Sequence, residues 1–146
     1  MSRRDLKNAG EKACGNKISA PRGKAGEDAV CDHLKKHGST IIKRNYRTKG
    51  GEIDIISEKE GCIAFTEVKT RKFGALVKGS EAITKAKMRK IISTSEYFII
   101  SNPQYKDRKR RFDAAFVTVT TDKHPQILDI EYYKGYFTLA DLERYK

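Results

Sequence analysis

At 146 residues and 16.6 kDa the chain has the length of one domain with a single core, and its 38% apolar content and mean hydropathy of -0.68 indicate that this core is lean. The longest apolar run near the middle, Tyr97-Phe98-Ile99-Ile100, falls far short of the roughly 18 residues of a membrane span, so no transmembrane helix is expected. Lysine and arginine number 31 against 19 aspartate and glutamate, a net charge of +12 that points to a polyanion; the lack of an amphipathic anchor with large apolar residues favours nucleic acid over an anionic membrane.

Residues 1–20 are polar and aperiodic, and are expected to form a mobile basic arm ahead of a single domain over residues 21–146. Basic residues without a following apolar stretch do not make a secretory signal, so a cytoplasmic location is expected. Cys14, Cys31 and Cys62 form no Cys-x-x-Cys pair and have no histidine at zinc spacing; they read as free thiols in a reducing compartment.

A helix is predicted over residues 24–37, with Ala25, Ala29, Val30, Cys31 and Leu34 as its apolar stripe and Gly38 as its stop. Glu27 falls on the same side as Val30, Cys31 and Leu34, where a carboxylate either needs a partner or sits favourably in the first turns of the helix. A strand over residues 39–47 leads through Lys49-Gly50-Gly51 into two β-branched runs, Gly51-Glu52-Ile53-Asp54-Ile55-Ile56 and the stretch around Thr66-Glu67-Val68-Lys69. These form a three-strand antiparallel meander. A polar loop follows, then a helix capped by Ser80 and running to about Phe98, with Ile83, Ala86 or Lys87, Ile91, Ser95 and Phe98 inward. Strands over residues 111–119 and 126–133 come next, and Thr138-Leu139-Ala140-Asp141-Leu142 has the shape of a capped final helix.

The second and third strands carry the chemistry. If a four-residue loop, Glu58 to Gly61, closes their hairpin, then Ser57 pairs with Cys62, Asp54 with Phe65 and Glu52 with Glu67. Alternation then places Glu52, Asp54, Ile56, Ile63, Phe65, Glu67 and Lys69 on one face and Ile53, Ile55, Ala64, Thr66 and Val68 on the other. Asp54 and Glu67 become diagonal neighbours with Cβ atoms about 7–8 Å apart. Carboxylates opposed on a half-buried sheet require positive charge, supplied either by Lys69 or by a hard cation such as Mg²⁺. An ordinary hairpin with a solvated polar face satisfies the same spacing.

The element order, with acid in the first helix, Asp in the second strand and Glu-x-Lys in the third, resembles the restriction-endonuclease-like PD-(D/E)xK nuclease fold, an α/β (α+β mixed-sheet) architecture. More closely, Gly26-Glu27, Arg44-Asn45-Tyr46-Arg47, Gly51-Glu52-Ile53-Asp54-Ile55-Ile56, Phe65-Thr66-Glu67-Val68-Lys69-Thr70-Arg71 and Arg111-Phe112-Asp113 are similar to signatures of the bacterial YraN family. Arg22-Gly23-x-x-x-Glu27 is also similar to the opening of archaeal Holliday-junction resolvases. Ile53 stands where the superfamily's name has proline, and Thr66 replaces an aliphatic residue before Glu67. The resemblance implies a site of Glu27, Asp54, Glu67 and Lys69. In it Asp54, Glu67 and the Val68 carbonyl hold Mg²⁺ or Mn²⁺, Glu27 ligates directly or through water, and Lys69 orients the attacking water. It implies a metal-dependent endonuclease on DNA, with branched or structured substrates and a homodimer by analogy with the resolvases; the alternative is a non-catalytic nucleic-acid-binding module of the same fold. Arg22, Lys24, Arg71 and Lys87 are the expected phosphate contacts, Arg111 belongs to a second basic patch over residues 106–111, and Tyr46 or Phe73 is a candidate to stack on an exposed base.

Overall fold

The computed structural model describes residues 20–75 and 83–143, with side chains described from Gly23 onward. The arm expected over residues 1–20 lies outside them apart from Ala20, as do Cys14 and the expected cap Ser80. The elements follow the order α1 (Ala20–Lys36), β1 (Thr40–Thr48), β2 (Gly51–Lys59), β3 (Cys62–Lys72), α2 (Lys85–Ser101), a 3-10 turn (Pro103–Tyr105), β4 (Lys109–Val119), β5 (Ile127–Phe137) and α3 (Leu139–Glu143). They build an α+β fold around one five-stranded mixed sheet of order β1-β2-β3-β4-β5, with β3 and β4 parallel and the other neighbours antiparallel. The parallel step is the one that needs a crossover, and α2 supplies it.

Local chemistry explains the ends of these elements. Pro21 fits the first turn of α1, where a missing N–H costs no helical bond. After α1, Gly38 turns at φ +88 while Ser39 N–H donates to Leu34 O. Ile83 and Thr84 are not helical, and α2 starts at Lys85 with the Thr84 hydroxyl accepting from Lys87 N–H at 3.1 Å. The Asp141 carboxylate accepts from Thr138 N–H at 2.7 Å to cap α3.

The hairpin corrects the expected register. Glu60 and Gly61, at φ +50 and +77, make a two-residue turn, so Lys59 pairs with Cys62 and Ile56 with Phe65. Relative to the four-residue loop every partner moves by two, and Asp54 rather than Glu52 comes abreast of Glu67. The faces survive such a shift, with one exception. Ile53 joins Ile56, Ile63, Phe65, Ile91, Phe98 and Phe116 beneath α2, whereas Ile55 joins Val30, Cys31, Leu34, Ala115, Val117 and Val119 beneath α1. Alternation therefore breaks at Asp54. Across from it on β1, between the pairs Arg44↔Ile55 and Tyr46↔Ile53, Asn45 adopts φ +51, a conformation costing about 1–3 kcal/mol in a non-glycine residue. Tyr46 is thereby core, edge-on to Phe98 at 5.4 Å.

Two close contacts fix the layers. A Cβ on Gly26 of α1 would lie 2.0 Å from Thr70 Oγ1 on β3, so the helix approaches the strand as only glycine allows. Alanine inside a helix normally gains about 1 kcal/mol over glycine. Here we expect Gly26→Ala to lower the unfolding free energy by about 1–3 kcal/mol through overpacking, with Gly26→Ala/Thr70→Ala recovering most of the loss in urea titrations.

The second contact is a buried polar network on the α1 side. Asp113 is 0% exposed; its carboxylate accepts from Arg111 Nε and Nη2 at 2.8 and 2.9 Å, from Tyr132 OH at 2.6 Å and from Gly135 N–H at 2.8 Å. Gly135 stands where β5 bulges against β4, so the carboxylate satisfies an N–H that the ladder leaves open. Tyr132 OH and Thr66 Oγ1 are 3.0 Å apart, which ties β3 to this network directly beside Glu67. Burial first and then Asp113 raise the pKa of Tyr132, keeping it a phenol that donates. Asp113→Ala, which strips Arg111 of its partner, is expected to cost about 3–5 kcal/mol of stability, and Tyr132→Phe about 1.5–3 kcal/mol, measured by denaturant unfolding.

Candidate active site

The β2–β3 ladder ends at Ile55↔Thr66, one step short of Asp54 and Glu67. Beyond it a side chain replaces the backbone partner, for Val68 N–H donates to Asp54 Oδ2 at 2.8 Å. Both carboxylates are buried, Asp54 at 7% and Glu67 at 6% exposure. Glu67 Oε1 lies 3.8 Å from Lys87 Nζ on α2, while Oε2 is buried and accepts no hydrogen bond among the described residues. Such an open buried acceptor costs about 1–3 kcal/mol, more when charged.

Glu27 reaches the same region from α1. Its carboxylate is hydrogen-bonded by the Asn45 side chain and lies 3.7 Å from Arg44 Nη2, which pairs more closely with Asp28 at 2.7 Å. The left-handed turn at Asn45 thus serves two ends, sending Tyr46 into the core and holding Glu27 at its edge. Glu52, which the sequence sets either against Glu67 or, with a bulge after Gly51, out toward solvent, pairs with Arg47 at 3.0 Å.

The acids feel one another. Burial first, then Glu67, push the Asp54 carboxyl well above the usual carboxylate range, against the lowering effect of Val68 N–H. Burial raises Glu67, with Lys87 and then Lys69 pulling it down and Glu52 and Glu27 adding to the rise. Burial also raises Glu27, partly offset by Asn45 and Arg44. Glu67 and Glu27 thus act on Asp54, and Lys87, Lys69 and Glu27 act on Glu67. Among the described residues, however, no group of three or more His, Cys, Asp or Glu side chains is placed to hold a metal ion.

The basic residues divide differently. Lys87 reaches the site, and Lys24 pairs with Asp28 at 3.4 Å beside Glu27. Arg71 Nε donates to Thr118 Oγ1 at 3.1 Å, with Glu131 3.6 Å from its Nη2. Arg111, of the second basic patch, donates through Nε and Nη2 to buried Asp113. Arg22 lies in the first turn of α1, with its side chain outside the described ones. No sequence pattern assigns a role to Asn45, which stands among polar residues of β1; for Asp113 the available signal is an acid set in the apolar run of β4.

Helix, three-strand antiparallel meander, helix, two further strands and a short helix around a mixed sheet make the layout that the resemblance implied. The family match is direct: residues 26–117 match the model of the uncharacterised protein family UPF0102, the YraN family, and the chain belongs to that family. It is 39% identical over 115 residues to a UPF0102 protein of Caldicellulosiruptor saccharolyticus, covering 79% of this chain and 95% of the relative. A UPF0102 protein of Dictyoglomus thermophilum is 39% identical over 110 residues, covering 75% and 91%. One from Fusobacterium nucleatum is 45% identical over 87 residues, covering 60% and 72%. Among the described residues no helix is long and apolar enough to cross a membrane.

A raised native pKa means that the folded state holds its proton more tightly than the unfolded chain. The carboxylate pair therefore costs stability as pH rises from the unfolded value near 4 through the raised native values. Asp54→Asn keeps an acceptor for Val68 N–H and removes one charge. With chelator present it should melt above the parent at pH 7–8, and calorimetry should show the gain shrinking toward pH 4.

Proposed function

We propose that this protein is a divalent-metal-dependent endonuclease that hydrolyses phosphodiesters in DNA. The observation that carries the reading is Glu67, a buried carboxylate with one oxygen left open beside a second buried carboxylate, Asp54. An all-oxygen donor set with an unfilled acceptor fits a hard cation, Mg²⁺ or Mn²⁺, which retains part of its water shell and accepts a substrate phosphate. Asp54, Glu67 and the Val68 carbonyl would hold it, with Glu27 ligating directly or through water. When bound, the ion supplies Lewis-acid polarisation of a phosphoryl oxygen and makes a nearby water more acidic.

The chain's own groups do the rest. Lys69, whose charge already acts on Glu67, orients the attacking water and offsets charge that develops on the phosphoryl oxygens in the transition state. Glu27, with its proton affinity raised by burial, is positioned by Asn45 and Arg44 to take part in proton transfer. Lys24, Lys87 and Arg71 bind the phosphate backbone. The ion pair of Lys87 with Glu67 favours a second reading, in which the site's own lysine neutralises it and the protein is a non-catalytic nucleic-acid-binding module.

Charge separates the two in experiment. Binding through many cations weakens steeply with salt, whereas chemistry rests on few groups. Lys69→Ala and Glu67→Gln should hold branched DNA at low salt yet lose cleavage by on the order of 100-fold or more. Mn²⁺ or Mg²⁺ should raise the melting temperature of the parent and leave Asp54→Asn unmoved. Tight binding to single-stranded, duplex, flapped or four-way DNA or structured RNA, with no cleavage of any by the parent in either metal, would replace the nuclease by the binding module.

A further inference from the structure

Of the two aromatics that the sequence offers for stacking, Tyr46 is partly buried against the core and Phe73 is left out. Phe73 is 68% exposed, forgoing most of the roughly 1.5–3 kcal/mol that burying a phenylalanine yields. It is nevertheless held in place. Its N–H donates to Val119 O at 2.7 Å, continuing the β3–β4 ladder one residue past Lys72↔Val119, and Gly74 then turns away at φ +80.

The strand's period connects Phe73 to the carboxylates. Glu67, Lys69 and Arg71 follow one another at every second residue of β3, which puts them on one side of the strand, and Phe73 continues that spacing as the first residue of the turn beyond Lys72. At about 3.3 Å per residue, Phe73 stands about 20 Å from Glu67, a span of several nucleotides. Cations line the interval. They are Lys69 and Arg71, both half-buried, with Arg71 oriented by Thr118 and Glu131. A row of phosphate-binding cations ending in an exposed, backbone-anchored ring is the combination that binds single strands: the charges follow the backbone and the ring takes a base face. Bases inside a duplex offer no free face.

We propose that Phe73 is the stacking platform for an unpaired base, so that the site works on nucleic acid that is single-stranded or frayed on the Phe73 side. This rests on the nucleic-acid reading given above and narrows its substrate class. The chain has no tryptophan, so Phe73→Trp in the full-length protein introduces a single fluorophore at the platform. With chelator present to prevent cleavage, oligothymidylate should quench it and a blunt duplex of equal length should not. Phe73→Ala should weaken oligothymidylate binding roughly 5- to 150-fold, the cost of losing one base–aromatic stack, with duplex affinity and melting temperature unchanged.

Bound oligothymidylate with an unquenched tryptophan, or an unchanged affinity in Phe73→Ala, would overturn the platform and leave nucleic-acid binding intact. Equal quenching by the blunt duplex would overturn it as well. A blue-shifted, brighter emission with phosphatidylserine vesicles and no response to oligonucleotides would assign the ring to a lipid surface and overturn it. Failure to bind any of these nucleic acids would overturn both this proposal and the reading on which it rests.

Discussion

The hydrogen bond from Val68 N–H to Asp54 is the constraint on which the site depends. A carboxylate takes the place of a backbone carbonyl at the point where the β2–β3 ladder stops, so the two strands can part without leaving that amide unpaired. The same substitution holds a negative charge inside the sheet, abreast of Glu67. Neither acid can relax into solvent, and each raises the other's proton affinity or has it raised by burial. Much of the surrounding structure answers that charge.

The answer is distributed across the sheet. Asn45 bends β1 at the level of Asp54 and holds Glu27, Lys87 comes down from α2 to Glu67, and Lys69 follows on β3. On the opposite face the strand that carries Glu67 is fixed through Thr66, Tyr132 and Asp113. Fixing one face with satisfied polar bonds lets the other keep an unsatisfied acceptor, because the local strain cannot be relieved by moving β3. Gly26 adds to this restraint by bringing α1 against Thr70, three residues beyond Glu67. Rigid support around a costly polar arrangement is what preorganisation of a charged site requires.

Two apparently similar sets of residues thus have different work. Arg111 and Arg71 both belong to basic stretches, yet Arg111 neutralises a fully buried aspartate while Arg71 is held between the Thr118 hydroxyl and the half-exposed Glu131. Tyr46 and Phe73 both sit beside arginine or lysine, yet one packs on Phe98 and the other faces solvent. Composition places charge and aromatic area on the protein; only the partners decide which of it is available to a ligand.

The order of helices and strands, the presence of Asp54 and Glu67 on one face of the hairpin, and the inward side of α1 were legible in the sequence, because each follows from period, turn residues and β-branching within a short window. Tertiary structure decided what those windows leave open. The hairpin register moved by two residues because Glu60 and Gly61 both take positive φ, putting Asp54 in the place expected for Glu52. Ile53 left the face of Ile55 because alternation breaks at Asp54, opposite the bend at Asn45. The roles of Asn45 and Asp113 depend on partners on α1 and β5, at distances along the chain that no local pattern encodes. Periodicity specifies which way a side chain turns from its own backbone; which charge it meets there is fixed only when separate segments pack and their buried polar groups must all find partners.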